Sequence, residues 1–197
     1  MSASITKGEL TRAAIIEAAH DLFITQGYNA TSMRQIAQQA GIALGSIYNH
    51  FSSKDDIFQA VFIENHPFLE MLPTIEAAQG DTVEALVRDA ADKMMTFITN
   101  KPDFLNLMFI ELVEFKSAHV RGLFEKTFPR GLKIVQRLTT VEGNLRDIPV
   151  PILLRSFISI FFSYYLVDVI LGEIAPPEFS ENAMDHIVEI FLHGILV

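Results

Sequence analysis

The sequence predicts an all-α protein of about nine helices. Apolar residues recur at helical spacing over almost the whole length of 197 residues, and strand-like alternation is nearly absent. Glycine and proline residues interrupt this pattern at intervals that suit helices of ordinary length. Half of the residues are apolar and a fifth are charged, which excludes disordered, collagen-like and low-complexity chains.

The first two helices are predicted from a glycine stop and a capping pattern. One apolar face marks the first helix, at Ile15, Ala19, Leu22 and Phe23. Gly27 is placed to end that helix in a left-handed conformation. The Ser32-x-x-Gln35 pattern is typical of a capping box, so we expect a second helix from there to Gly41.

A short segment at 44–51 and a longer helix at 54–72 come next. Ser52 and Ser53 are suitable N-caps for the longer helix. Five further helical stretches are predicted at 81–99, 103–114, 118–139, 152–172 and 180–196. The breakers between them are Pro73 and Gly80, Lys101-Pro102, Glu142-Gly143-Asn144, Pro149-Val150-Pro151 and Pro176-Pro177.

The net charge of −9 is unusual for a nucleic-acid-binding protein, which normally carries a basic face. This charge is unevenly spread. Residues 1–54 hold four basic and three acidic side chains, a net charge of +1, and the remaining residues hold 11 basic and 21 acidic ones, −10. The acidity therefore lies in the C-terminal part, and it does not exclude DNA binding by the first 54 residues.

The absence of cysteine excludes disulfides, thiolate metal sites and a cysteine nucleophile. The most membrane-like segment, 156–167, lies between Arg155 and Asp168. Its 12 residues are fewer than the ~20 that a spanning helix needs. We therefore expect a soluble, cytoplasmic protein with no membrane partner and no cofactor.

Residues 33–51 have the spacing of a helix-turn-helix. Ala37 is small where two helices cross closely, and Gly41 lies at the turn, where a positive φ is needed. The apolar residues expected to lock the helices together are Ile36, Ala40, Ile42 and Ile47. The residues left to face the major groove are Leu44, Gly45, Ser46, Tyr48, Asn49 and His50. Other helical hairpins show the same residue types at such spacings, so the motif alone leaves a purely structural interpretation open.

The wider block from about 12 to 58 resembles the N-terminal domain of the tetracycline-repressor (TetR) family. The matching residues are Leu22-Phe23, Gly27-Tyr28, Ala30-Thr31-Ser32-Met33-Arg34-Gln35-Ile36-Ala37, Gly41-Ile42, Gly45-Ser46-Ile47-Tyr48-Asn49-His50-Phe51 and Ser53-Lys54-Asp55 with Ile57. The block covers roughly a quarter of the chain. The resemblance implies a DNA-binding domain at 1–54, followed by a helical ligand-binding and dimerisation domain at 55–197.

We expect DNA contacts from Ser32, Arg34, Leu44, Gly45, Ser46, Tyr48, Asn49, His50 and Lys54. By resemblance, Ser32 caps the second helix near the phosphate backbone and Arg34 contacts a base edge or a phosphate. Tyr48, His50 and Lys54 would donate to phosphates. The alternatives are a half-buried core position for Tyr48 and a merely solvated helix-end charge for Lys54.

Two residues depart from the family pattern. Ala43 stands where many relatives carry Ser or Thr, so the recognition helix lacks a side-chain cap that contributes ~1 kcal/mol. Leu44 stands where a basic or polar residue is common, which removes a phosphate or base contact. An apolar side chain there can instead contact the methyl group of thymine.

The central helices are rich in Phe, Met and Leu, beyond what one helical face needs. As a set these residues suit an adaptable apolar cavity, although each taken alone is more typical of ordinary core. We expect a small, hydrophobic effector to be bound by Met94, Phe97, Phe104, Met108, Glu111, Phe115, His119 and Tyr164.

The last two predicted helices are apolar nearly all round, so another surface must cover them. In the TetR family a four-helix bundle across a two-fold axis provides this cover. The expected dimer interface consists of Phe157, Phe161, Tyr165, Ile187 and Phe191.

The spacing His186-x-x-Glu189-x-x-x-His193 places three possible metal ligands on one helical face. Such a face is more often solvated or an interface, and we expect no metal there. No catalytic constellation is convincing, so we expect no enzyme. The sequence predicts a homodimeric, ligand-responsive repressor of double-stranded DNA with a palindromic operator. The alternatives are an activator or co-repressor-dependent regulator, and a helical ligand-binding protein with weakened DNA binding.

Overall fold

The computed structural model describes residues 6–101 and 103–197, and Pro102, one of the predicted breakers, lies outside them. The helices are α1 (Lys7–Gln26), α2 (Met33–Gln39), α3 (Leu44–Ile47), α4 (Lys54–Glu64), α5 (Pro67–Glu76), α6 (Val83–Thr99), α7 (Phe104–Glu114), α8 (Val120–Gln136), α9 (Val150–Leu171) and α10 (Ala183–Ile195). Short 3-10 helices lie at Arg137–Thr139 and Pro177–Phe179. The described residues form two isolated β-bridges and no sheet, which confirms the all-α fold class.

The chain divides into two compact units. The first unit contains the described residues up to 66 together with 103–123, and therefore holds α1 to α4 and α7. The second unit contains 67–101 and 124–197, and holds α5, α6, α9, α10 and most of α8. The functional boundary at residue 54 remains a prediction.

The first unit is organised around α1, which packs against α2, α4 and α7. Thr6 and Glu9 form a capping box at its start, and Gly27 ends it with a φ of 84°. Ile15, Ala19 and Phe23 of the predicted apolar face are buried. The helix therefore ends where the glycine predicted.

The predicted helix at 54–72 is in fact two helices, α4 and α5. Asn65 ends α4, and its side-chain Nδ2 donates to the carbonyl of Val61 at 2.9 Å. Pro67 then begins α5, because a proline is well tolerated in the first helical turn, where its missing N–H has no partner to lose. Pro73 was predicted to begin a loop but lies inside α5. Burial of the apolar side chains of α5 outweighs the hydrogen bond that Pro73 cannot make.

The second unit is centred on α6, which packs against α5, α9 and α10. Its buried side chains are Val83, Leu86, Val87, Ala90, Ala91, Met94, Met95 and Ile98. Two arginines fasten the C-terminal end of α5. Arg130 donates to both carboxylate oxygens of Glu76, at 2.6 and 2.9 Å, and Arg137 donates to the carbonyls of Glu76 and Ala78.

Helix α9 is longer than the 12-residue apolar segment seen in the sequence. It runs for 22 residues and contains an 18-residue stretch with a mean hydropathy of 1.7, and Arg155 and Asp168 lie within the helix rather than closing it. By length and composition, α9 is the one helix of the described residues that could cross a membrane. The core helix of a soluble protein meets the same criteria, so α9 is weak evidence for a membrane location.

The connection between α4 and α5 contains a buried histidine. His66 is 4 % exposed, and its ring centroid lies 5.1 Å from that of Phe62 and 5.3 Å from that of Phe104. Burial lowers the pKa of His66 to about 4, from an ordinary value near 6.5. His66 is therefore neutral in the folded protein at physiological pH.

Acidification is expected to destabilise the protein through His66. Because its pKa is lower in the folded than in the unfolded state, its contribution is intact above pH 6.5 and is lost as the pH falls towards 4. The full loss is about 3 kcal/mol. Urea titrations between pH 7 and pH 4 measure it, with His66→Phe as the comparison. A variant whose free energy of unfolding falls as steeply as that of the wild type would contradict this assignment.

Candidate nucleic-acid interface and apolar cavity

Helices α2 and α3 form the helix-turn-helix that the sequence predicts. Ser32 caps α2, and its hydroxyl accepts a hydrogen bond from the backbone of Gln35 at 3.3 Å. The Gln35 side chain in turn accepts one from the backbone of Ser32 at 2.9 Å. Gly41 has a φ of 69°, which favours glycine, and the chain reverses there into α3. The capping box and the turn glycine are thus both confirmed.

The interior of this motif consists of small and branched apolar side chains. Ile36, Ala37 and Ile47 are each 2 % exposed or less. The backbone N–H of Ile42 donates to the carbonyl of Ala37 at 3.0 Å, which holds the turn against α2. The position of α3 is therefore fixed by packing and by the turn, since Ala43 provides no side-chain cap.

The predicted groove-facing residues lie on the outer side of α3 and the turn after it. Leu44 and Tyr48 are 43 % and 54 % exposed, and Gly45 and Asn49 are also exposed. Ser46 and His50 are partly exposed. Tyr48 therefore has about half of its surface open to solvent.

Lys54 is held by the protein itself. Its Nζ donates to the carbonyls of Tyr28 and Thr31 at 2.7 and 2.8 Å, and it lies 4.0 Å from the centroid of the Tyr28 ring. Burial lowers the pKa of Lys54. The Tyr28 hydroxyl donates to Asp55, so the N-terminal turn of α4 is fastened to the loop before α2 from two sides. The side chain of Arg34, in contrast to that of Lys54, is exposed to solvent.

Five of the eight predicted effector-binding residues lie in the first unit: Phe104, Met108, Glu111, Phe115 and His119. Glu111 is 1 % exposed and accepts hydrogen bonds from His119, at 2.7 Å from its backbone N and 2.8 Å from its Nδ1. Phe115 stacks on Phe58 with ring centroids 4.5 Å apart. These side chains build the turn after α7 and the core beside it, a role that the sequence analysis missed.

The second unit contains an apolar cavity of about 150 Å³. Its walls come from α5, α6, α8 and α9, with Arg137–Thr139 closing one side. Met94 is the one predicted effector-binding residue that lines it. The other described lining residues are Phe68, Met71, Leu72, Ile75, Ala78, Leu86, Val87, Ala90, Ile98, Phe124, Thr127, Phe128, Gly131, Ile134, Val135, Leu138, Leu154, Phe157, Ile158 and Phe162.

Phe97 and Tyr164 were also predicted to bind the effector and lie elsewhere in the second unit. Cavity-lining residues of α6 recur every four residues, at Leu86, Ala90, Met94 and Ile98, and Phe97 is not among the lining residues. Its ring lies beside Lys101 instead, with Nζ 5.6 Å from the centroid. Tyr164 lines a groove on the outer side of α9 and α10.

The residues predicted for a dimer interface are divided between the core and the surface. Phe161, Tyr165 and Phe191 are 0 to 5 % exposed because α9 and α10 bury them against each other and against α6. Phe157 lines the cavity. Of the predicted set, Ile187 and the mostly buried Phe191 line the outer groove.

The outer groove is a wide apolar depression along α9 and α10. Its most exposed large apolar side chains are Ile152 and Ile190, at 47 % and 61 %. Ile160, Val167 and Ile187 continue the same surface, and Ser156, Ser159, Ser163 and Gly194 keep it low between them. We refer to this surface as the α9/α10 groove.

The side chains at the His186-x-x-Glu189-x-x-x-His193 spacing on α10 make other contacts. Glu189 pairs with Arg88 of α6, and His193 Nδ1 lies 2.8 Å from the Glu189 carbonyl oxygen. His186 lines the α9/α10 groove. Over residues 6–101 and 103–197, no three potential ligands are grouped to hold a metal ion.

Comparison with known proteins identifies the first unit's motif. Residues 15–61 match the family model described as "Bacterial regulatory proteins, tetR family". The chain is 26 % identical over 155 residues to the HTH-type transcriptional regulator SrpR of Pseudomonas putida, covering 79 % of this chain and 71 % of SrpR. It is 23 % identical over 197 residues to the regulator YvkB of Bacillus subtilis, covering 94 % and 97 % of the two chains.

A solved structure supports the fold over almost the full length. NalD, the secondary repressor of the MexAB-OprM multidrug efflux pump in Pseudomonas aeruginosa, superposes with a TM-score of 0.65 at 19 % identity. The match covers 96 % of this chain and 98 % of NalD. SrpR and YvkB are both named as HTH-type transcriptional regulators. The helix-turn-helix and the family match over it identify residues 15–61 as a TetR-family domain, and the chain resembles a transcriptional regulator over almost its full length.

Proposed function

We propose that the protein is a homodimeric transcriptional repressor that binds a palindromic operator and is released by a small hydrophobic effector. The observation that carries this proposal is the outward face of α3, where Leu44, Tyr48 and Asn49 are exposed while the interior of the helix-turn-helix is closely packed. TetR-family regulators are soluble DNA-binding proteins, and we place this one in the cytoplasm with its DNA.

Within this proposal, a small set of residues contacts the operator. The exposed groups of α3 and the following turn face the major groove, and Ser32 and Arg34 lie at the start of α2. Lys54 has one N–H left for a phosphate, because its other two bind Tyr28 and Thr31. Few cations are therefore available to the phosphate backbone.

The salt dependence of operator binding is expected to be shallow. If Arg34 and Lys54 of both subunits reach phosphates, the slope of log K against log salt is about −3.6, and about half of that if Arg34 acts alone. Titrations by fluorescence anisotropy at several salt concentrations measure the slope, with Arg34→Gln expected to reduce its magnitude. A slope near −10 would mean that many more cations contact the DNA. Weak binding to any sequence at low salt would instead favour a ligand-binding protein with a weakened DNA domain.

The α9/α10 groove is the proposed dimer interface. Exposed apolar side chains as large as Ile152 and Ile190 are rarely clustered on a monomer without a partner. A second copy applied through a two-fold axis would cover the groove with the same surface and would present two recognition helices to a palindromic site.

The cavity of the second unit is the proposed effector site. It is walled by the side chains of α5, and only Asn65 and His66 separate α5 from α4 in the chain. An effector that fits better when α5 is displaced would thereby shift α4 and change the spacing of the two recognition helices. A coupling of ~1–3 kcal/mol is enough for a useful response, provided that the effector binds the two conformations unequally.

Filling the cavity is expected to abolish effector binding. Ala90 lines the cavity from α6, so Ala90→Leu occupies much of its 150 Å³. Benzene and indole serve as probes, and at about 100 times its Kd a bound probe stabilises the folded protein by about 2.7 kcal/mol. Thermal unfolding with and without probe should show this gain in the wild type and not in Ala90→Leu. Ala85→Leu, on the exposed side of the same helix, is the matched control and should keep the gain.

The sign of regulation is tested with a reporter gene placed behind the operator. A repressor lowers expression until effector is added. NalD, which shares the fold, carries the name of a repressor. Higher expression with the protein present would instead make it an activator.

A further inference from the structure

The exposed side of α3 begins with an isolated aliphatic side chain. Leu44 is 43 % exposed at the first residue of the helix, so a large part of its apolar surface is open to solvent and free to meet a partner. Its two neighbours are small. Ala43 makes no capping hydrogen bond, and a Cβ added at Gly45 would meet nothing within 4 Å. The fold therefore does not require a glycine at 45, and Leu44 projects alone from this end of α3.

The chemistry of the DNA major groove restricts what such a side chain can contact favourably. Each base edge presents hydrogen-bond donors and acceptors there, and the only apolar group is the C5-methyl of thymine. Leu44 placed against guanine, adenine or cytosine would take polar atoms out of water without replacing their hydrogen bonds. Against thymine it buries a methyl group.

We propose that Leu44 selects a thymine in each operator half-site by contact with its C5-methyl group, a proposal that rests on the DNA-binding function proposed above. Ala43 and Gly45 allow α3 to approach the bases closely enough for this contact. Hydrogen-bonded readout is then the task of Ser46, Tyr48 and Asn49, further along the same surface. Leu44 is thus a specificity-determining residue, and it supplies no phosphate contact.

The test removes only the methyl group. An operator is first selected from random double-stranded DNA with the full-length protein, and each thymine of the half-site is then replaced in turn by deoxyuridine, symmetrically in both halves. One position should weaken wild-type binding roughly fourfold for each half-site, or about 15-fold for both. Leu44→Ala should bind the two DNAs at that position with equal affinity, because the contact is already lost.

Two further variants separate this contact from a general loss of affinity. Leu44→Met keeps an apolar side chain and should keep the discrimination between thymine and deoxyuridine. Tyr48→Phe removes a hydroxyl and should weaken binding to both DNAs while keeping their ratio. Because Leu44 is exposed, its variants should fold like the wild type, and circular dichroism checks this.

The possible failures are distinguishable. A selected operator that tolerates deoxyuridine at every position overturns the role of Leu44 and leaves DNA binding intact. Equal deoxyuridine sensitivity in the wild type and Leu44→Ala also overturns it, because another residue then reads the methyl. Failure to select any sequence overturns both this inference and the proposed function.

Discussion

Ile190→Glu is expected to convert the protein to monomers and to weaken operator binding by about 100-fold or more. Ile190 is 61 % exposed in the α9/α10 groove, so the glutamate costs the isolated chain little. In a two-fold dimer the substitution would occur in both copies of one interface, and two carboxylates would lose water without partners. Each half-site would then be bound separately, without the gain from linking two recognition helices.

Sedimentation velocity and operator titrations measure the two effects of Ile190→Glu on the same sample. Val113→Glu is the matched control, since Val113 is 68 % exposed on α7 and does not line the groove. It should remain a dimer. If Ile190→Glu also remained a dimer at micromolar concentration, the interface would have to lie on another surface.

Glu111→Ala is expected to lower the free energy of unfolding by about 3 kcal/mol. The carboxylate is 1 % exposed and accepts both a backbone and a ring hydrogen bond from His119. These bonds close a turn in which Lys116 and Ser117 adopt left-handed conformations, with φ of 51° and 64°. Without the carboxylate, two partly buried donors of His119 lose their acceptor, and the turn with its two left-handed residues loses the contact that holds it.

Urea titration monitored by circular dichroism gives the loss in Glu111→Ala. Glu114→Ala provides the comparison, because Glu114 lies on the same helix but is exposed, and it binds Asn29 at 2.8 Å. An exposed pair contributes at most about 1 kcal/mol. Similar losses in the two variants would show that the buried contacts of Glu111 stabilise the fold no more than an exposed pair does.

The helix-turn-helix could be predicted because its determinants are local in sequence. Ser32 and Gln35 satisfy each other's backbone groups three residues apart, and Gly41 adopts the positive φ that its position suggested. Leu44 and Tyr48 face outward because α3 turns Ile47 towards the core. The break between α4 and α5 was not predicted, although a sequence signal for it exists. Pro67 begins α5, and proline is common at the first position of a helix.

The effector and interface residues were predicted less well because they depend on the rotational phase of helices that are apolar on several sides. On α9, Phe161 and Tyr165 face the core, whereas Ile160 and Tyr164, one residue earlier in each case, line the groove. Composition does not separate these neighbours. The serines at 156, 159 and 163 do mark the outer face, and they were a readable signal.

The role of Phe115 and His119 could not be read from composition for a different reason. They contact α4 and the loop before α2, which lie more than 50 residues away in sequence, through Phe58 and Tyr28. A Phe-rich segment looks the same whether it lines a cavity or supports a distant helix. Only the long-range packing distinguishes these outcomes.

The apolar lining of the cavity determines which class of molecule could bind there. Thr127 carries the only polar side chain among the described lining residues, so the site has almost no means of recognising functional groups. The affinity of a molecule for this cavity would depend mainly on its size and its hydrophobicity. If the cavity is the effector site proposed above, it would respond to many apolar compounds of suitable size rather than to a single metabolite.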